Sequence, residues 1–169
     1  MPRSLFSRPS PGAEPVAVRI QTEAFDAGAE VNALRGARTD VGAIVSFIGT
    51  VRDLHEGTAV STLTLEHYPG MTEAALEAIV SEAHERWNIL DVLVIHRVGT
   101  MRPPDPIVLV VVLSAHRGEA FAACEFVMDW LKTRAPFWKK EQTPDGTRWV
   151  DARAADDHAA SRWDQAALK

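Results

Sequence analysis

An α+β fold built on a mainly antiparallel sheet follows from three observations on the sequence. Two long stretches keep helical periodicity while the segments around them are short β-branched runs. One of those runs, Ile107 to Leu113, is apolar on both faces and belongs at the centre of a sheet. Near the end, Pro144-Asp145-Gly146 separates two short runs as a hairpin turn would.

Taken in order, Val16 to Gln21 alternates as a short strand, and Asp26 caps a helix that runs to about Leu34 before Gly36 ends it. Val41 to Val51 and Ala59 to His67 read as strands, expected to pair antiparallel across the polar connection Arg52 to Thr58. Pro69-Gly70 opens a helix from Met71 to Trp87, with Leu76, Ile79, Val80 and Ala83 on one stripe and Glu73, Glu77 and Glu82 elsewhere on the wheel. Asp91 to Val98 and Ile107 to Ala115 are strands, separated by a turn with Pro103, Pro104 and Pro106.

Phe121, Cys124, Val127, Met128 and Leu131 then mark a helix from about Gly118 to Arg134, stopped by Pro136. Phe137 to Gln142 and Thr147 to Val150 form the hairpin, and an Ala- and Asp-rich stretch to Trp163 suits a last helix. The expected layout places helices on one side of the sheet, with a small antiparallel β subdomain. Residues 1–15, holding Pro2, Pro9, Pro11 and Pro15, read as a disordered tail; 16–152 form the domain, and 153–169 a C-terminal helix or tail.

Composition narrows the function. A chain of 169 residues suits one domain, and no apolar stretch reaches membrane-spanning length. Cys124 is the only cysteine, which excludes an intrachain disulfide and fits a cytoplasmic setting. It falls in the helical stripe, where a small core residue is expected rather than a nucleophile. The six histidines never take the i, i+4 spacing of a helical metal pair, so neither a metal nor another cofactor is expected. Nucleophile-elbow, phosphate-loop and dinucleotide-binding fingerprints are all missing.

What stands out is a positive cluster on a chain of net charge −5: Lys132, Arg134, Lys139 and Lys140, interleaved with Phe137 and Trp138. Two further segments join it, Phe47 to Asp53 with Arg52, and Ser114 to Gly118 with His116 and Arg117, both following strand-like sequence. His116 and Arg117 fall at a helix N-terminus, where free N–H groups and the dipole favour a phosphate, though a plain helix-start role suits His116 as well. Arg52 and Arg117 fit as anion clamps, while Lys132 and Lys139 suit chemistry, because an amine loses its proton readily on burial. Lys132 lies at the far end of the helix that Arg117 begins, so a neighbouring strand or a second subunit must close any shared pocket. A rival reading, a single-stranded nucleic-acid module, is weakened by the acidic balance and the missing RNA-recognition signature.

Several motifs in order, Gly49-Thr50-Val51-Arg52, Leu63 to Met71, Ile95 to Gly99, Ser114 to Arg117 and Leu131 to Glu141, closely resemble the large, catalytic subunit family of molybdopterin synthase. The likeness covers about Val41 to Val150. It implies an α/β hammerhead with an added antiparallel subdomain, and a central homodimer carrying one small subunit at each end of a heterotetramer. The implied activity is that of a sulfurtransferase in molybdenum cofactor biosynthesis. Cyclic pyranopterin monophosphate becomes molybdopterin with sulfur from a thiocarboxylate on the C-terminal Gly-Gly of a ubiquitin-like partner.

By the same resemblance Lys132 and Lys139 are catalytic, and Thr50, Val51, Arg52, His116, Arg117, Lys140 and Glu141 bind substrate with them. Neither nucleic acid nor membrane is an implied partner. Thr50 departs from relatives that carry a basic residue there, and Lys140 keeps charge but lacks the planar fork of arginine.

Overall fold

A computed structural model of the chain describes residues 17–165; the expected tail at 1–15 lies outside them. The elements are β1 (Val18–Gln21), α1 (Ala27–Arg35), β2 (Ala43–Thr50), β3 (Leu54–His55), β4 (Thr58–Ala59), β5 (Thr62–His67), α2 (Met71–Arg86), β6 (Ile89–Arg97), β7 (Gly99–Met101), β8 (Pro106–Ser114), α3 (Arg117–Arg134), β9 (Phe137–Thr143), β10 (Gly146–Val150) and α4 (Ala154–Gln165). Two four-stranded sheets result, ordered β1-β6-β8-β2 and β10-β9-β5-β7. Among the described residues only β1 and β6 pair in parallel; the other neighbours are antiparallel.

The first sheet is the core. Its strands alternate with a period of two, so Val92, Val94, Val108, Val110 and Val112 face α2 and α3, and Leu93, Ile95, Leu109, Val111 and Leu113 face the other way. Helices α2 and α3 cover the first face. The short α1, capped by the Asp26 carboxylate accepting from Ala29 N–H at 2.9 Å, is the exception to a one-sided layout: Val31 and Leu34 lie on the second face. Helix α4 packs behind α3. Trp163 meets Phe126 and Trp87 edge-on and donates to the Asp129 carboxylate at 2.7 Å, so the last turns of α4 close the core.

One expectation is overturned. The runs 41–51 and 59–67 do not pair: β2 runs along β8 from Ala43↔Ser114 to Thr50↔Pro106, and β5 joins the second sheet between β9 and β7. The reason is close approach. A Cβ on Gly42 would sit 2.1 Å from the Ala115 carbonyl oxygen, and one on Gly49 2.8 Å from Val108 Cγ1, so the two glycines let β2 lie against β8 where a side chain would collide. The connection between β2 and β5 instead folds on itself as β3 and β4, turned by Glu56 and Gly57 with φ of 50° and 78°.

Candidate active site

A cavity of about 310 Å³ opens where the two sheets meet the C-terminal end of α3. Each element delivers its residue for a local reason. Pro136 ends α3 and leaves Lys132 in its last turn, over the cavity. In β9, alternation turns Phe137, Lys139 and Glu141 inward together. At the end of β2, Thr50, Val51 and Arg52 form the opposite wall; Val51 is 4% exposed and its N–H donates to the Asp105 carbonyl at 2.9 Å, which pins the loop that carries the exposed Arg52.

Two sets of sequence-singled residues lie elsewhere on a single chain. Alternation sends Lys140 to the outer face of β9, where its amine is 3.8 Å from the Glu66 carboxylate and 5.2 Å from the Trp149 ring centre. His116 caps α3 backbone without a side-chain hydrogen bond, and with Arg117 it is exposed at the start of that helix, about 22 Å of helix axis from Lys132.

The electrostatics of the cavity are unusual in two places. Burial pushes the Lys139 amine down to about 8, helped by the nearby charge of Lys132 and resisted by Asp156. A lysine in that range holds both its charged and its neutral form near neutral pH. His96, on β6, is pushed down to about 4 by burial and by the charges of Lys139 and Lys132, so it stays neutral. Cys124 is outside the cavity lining, buried in α3, and its thiol is pushed up to about 11 by burial; it is no nucleophile at neutral pH.

Glu141 is 6% exposed and fully engaged. One oxygen lies 2.7 Å from His55 Nδ1 and the other accepts from Arg148 Nε at 3.1 Å. Arg153, just before α4, lies 2.7 Å from the other ring nitrogen of His55. A guanidinium can only donate, so His55 Nε2 accepts and Nδ1–H is given to Glu141. That chain ties β9, the small hairpin and the approach to α4 into one wall, and Asp156 enters the cavity lining from the same approach.

His55, His96, Arg153 and Asp156 are absent from the residues that the sequence singles out. A lone histidine at the end of the apolar run Val92 to Ile95 is a readable signal for His96; the other three depend on tertiary placement. Among the described residues no group of three or more His, Cys, Asp or Glu is placed to hold a metal, and no helix is long and apolar enough to cross a membrane.

Known proteins are similar to this chain in sequence and in fold. The molybdopterin synthase catalytic subunit of Ralstonia nicotianae is 63% identical over 146 residues, covering 86% of this chain and 83% of its own. A solved structure, the molybdopterin biosynthesis MoaE protein from Burkholderia ambifaria, superposes with a TM-score of 0.75 at 59% identity, over 88% of this chain and 97% of that one. Molybdopterin synthase from Staphylococcus aureus follows with a TM-score of 0.72 at 31% identity, over 79% and 96%. The family model described as MoaE protein matches residues 20–134, from β1 through α3, the span that builds the core sheet and brings Lys132 to the cavity. With sequence, fold and family model in agreement, the chain belongs to the MoaE protein family.

Proposed function

We propose that this chain is the large, catalytic subunit of molybdopterin synthase, a sulfurtransferase that converts cyclic pyranopterin monophosphate to molybdopterin. The small ubiquitin-like subunit delivers the sulfur as a C-terminal thiocarboxylate. The observation that carries the reading is the pair of amines in one cavity, Lys132 and Lys139, on a chain 63% identical over 146 residues to a molybdopterin synthase catalytic subunit. The thiol that might otherwise carry sulfur is buried and pushed up to about 11, which fits sulfur supplied from outside the chain.

Each residue has a part in this reading. Lys139, held near 8, takes up and returns a proton as the thiocarboxylate sulfur displaces an oxygen substituent of the pterin side chain, and as water then cleaves the acyl C–S bond of the resulting thioester, leaving sulfur on the pterin and a carboxylate on the small subunit. Lys132 keeps a cation beside the anionic tail, and Arg52 clamps an anionic group at the mouth. Thr50 and Val51 shape the wall beside it. Glu141 positions that wall through His55 and Arg148. His116, Arg117 and Lys140 join the substrate site only from a second copy of the chain, which fits the homodimeric core of a heterotetramer.

The test is reconstitution of the full chain with thiocarboxylated small subunit and cyclic pyranopterin monophosphate, with product followed by mass spectrometry. Insertion of two sulfurs is expected. Partner binding without any sulfur-containing product would overturn the reading.

A further inference from the structure

His96 is a buried polar side chain at the cavity to which the functional reading gives no part. It is 4% exposed at the end of β6, and its ring lies face to face on Phe137 of β9, centroids 3.9 Å apart and planes 17° apart. Its Nδ1 is 2.9 Å from the backbone carbonyl oxygen of Arg97. A carbonyl only accepts, so Nδ1 carries the hydrogen, and in a neutral ring Nε2 keeps its lone pair. Among the described residues Nε2 has no hydrogen-bond partner, Lys139 included, and the ring lines the cavity that holds Lys132 and Lys139. A free lone pair that opens on a cavity holding two amines is a place for a donor.

The stack decides which donor. Phe137 and Lys139 lie on the same face of β9, one strand repeat apart, so the ring that covers Phe137 is adjacent to the Lys139 side chain. We infer that His96 is a positioning residue for the sulfur-transfer reaction: with substrate bound, the Lys139 amine, which does not reach the ring in this structure, turns to donate a hydrogen to the Nε2 lone pair, and the rest of that amine is thereby directed at the substrate. This rests on the functional reading above. In its neutral form the amine donates one N–H to the ring and presents its lone pair to the cavity; in its charged form it presents the remaining N–H groups.

The imidazole does not take the proton. With values near 4 for the ring and near 8 for the amine, the ring is far the weaker base. The charged and titratable groups around the pair come from several elements: Lys139 on β9, Lys132 on α3, His67 on β5, and Arg153 and Asp156 from the approach to α4 and its first turn. Four of these five carry or can carry positive charge, which keeps the ring neutral and the acceptor available.

Two measurements test the assignment, one without turnover. In nitrogen NMR of the intact wild-type chain labelled on its histidine rings, His96 should show an N–H at Nδ1 and a bare Nε2 near neutral pH; the opposite tautomer or an imidazolium would overturn it. In reconstituted turnover, His96→Phe, which keeps the stack and loses the acceptor, should lower kcat about 10²-fold, the scale of a misplaced reacting group. KM for the pterin should be unchanged. The acid limb of the pH profile should move to lower pH, because the lost acceptor had favoured the ammonium. His96→Gln, whose amide oxygen can accept, should recover part of kcat. A wild-type kcat and pH profile in His96→Phe would refute the inference, as would a raised KM at constant kcat or a His96→Gln variant as impaired as His96→Phe. A wild-type chain that makes no product would instead sink the functional reading and leave the tautomer result standing.

Discussion

In the sheet β1-β6-β8-β2 the central strands β6 and β8 are buried on both faces while the edge strand β2 leaves Ile44, Phe47 and Ile48 exposed; β10-β9-β5-β7 has one inward face and one that meets solvent, with Trp138 and Trp149 48% and 56% exposed. The difference separates two jobs. In the first sheet's central strands, β6 and β8, almost every side chain is spent on packing, and β8 carries seven consecutive buried residues. In the second, alternation frees every other residue, and β9 uses that freedom to hold Phe137, Lys139 and Glu141 inward and Trp138 and Lys140 outward. In the proposed reading, stability is concentrated in the central strands of one sheet and chemistry at the seam with the other, where His96 stacks on Phe137.

The largest expected effect breaks the comparison from the chemical side. Lys139→Met should lower reconstituted turnover about 10²- to 10⁴-fold, the usual weight of a proton-transfer group, and should leave the melting temperature equal or higher. The sign comes from linkage. The folded amine sits near 8 against 10.5 in the open chain, so folding below about 8 confines a charge that the open chain solvates freely, and wild-type stability should rise with pH between those values. The methionine variant should lack that rise, as read by melting across the range.

From the structural side, Leu109→Ala, at a fully buried position of β8, should cost about 2–5 kcal/mol in denaturant unfolding. Its turnover well below the new melting temperature should stay near wild type. Gly49→Ala should cost about 1–3 kcal/mol, because the new methyl group meets Val108 at 2.8 Å and must push β2 from β8. It should also weaken turnover, since Thr50, Val51 and Arg52 follow directly on that strand.

A smaller effect is expected from His96. Its folded value near 4 lies below the ordinary 6.5, so the open chain binds a proton that the fold refuses, and stability should fall as pH drops through that window. His96→Phe should flatten that part of the stability–pH curve, measured by denaturant midpoint.

Most of the core sheet is legible in the sequence because burial writes itself into it. The both-face apolar run of β8, the stripes of α2 and α3, the Asp26 cap and the Gly146 turn each state a local rule that the fold obeys. The pairing of β2 is not legible in that way. Strands adjacent in the chain suggest a hairpin, and only Gly42 and Gly49, read as places of close backbone approach, hint at the distant partner β8. Three-residue β7 carries too little pattern to register.

In the site, Lys132, Lys139 and Arg52 are readable as cations set against an acidic chain. The outward turn of Lys140 is implied by strand alternation next to Lys139, and the exposure of His116 and Arg117 by the length of α3. His55, Arg153 and Asp156 are not readable, because what brings them to the wall is the fold of the small hairpin and the docking of α4, neither of which leaves a local signature.

The central claim is that paired amines at the seam of the two sheets carry the sulfur transfer. Its most direct test is Lys132→Ala in reconstitution with thiocarboxylated small subunit and cyclic pyranopterin monophosphate, alongside melting and partner-binding controls. The account predicts a folded, partner-competent protein that forms no dithiolene product; normal turnover by that variant would contradict it.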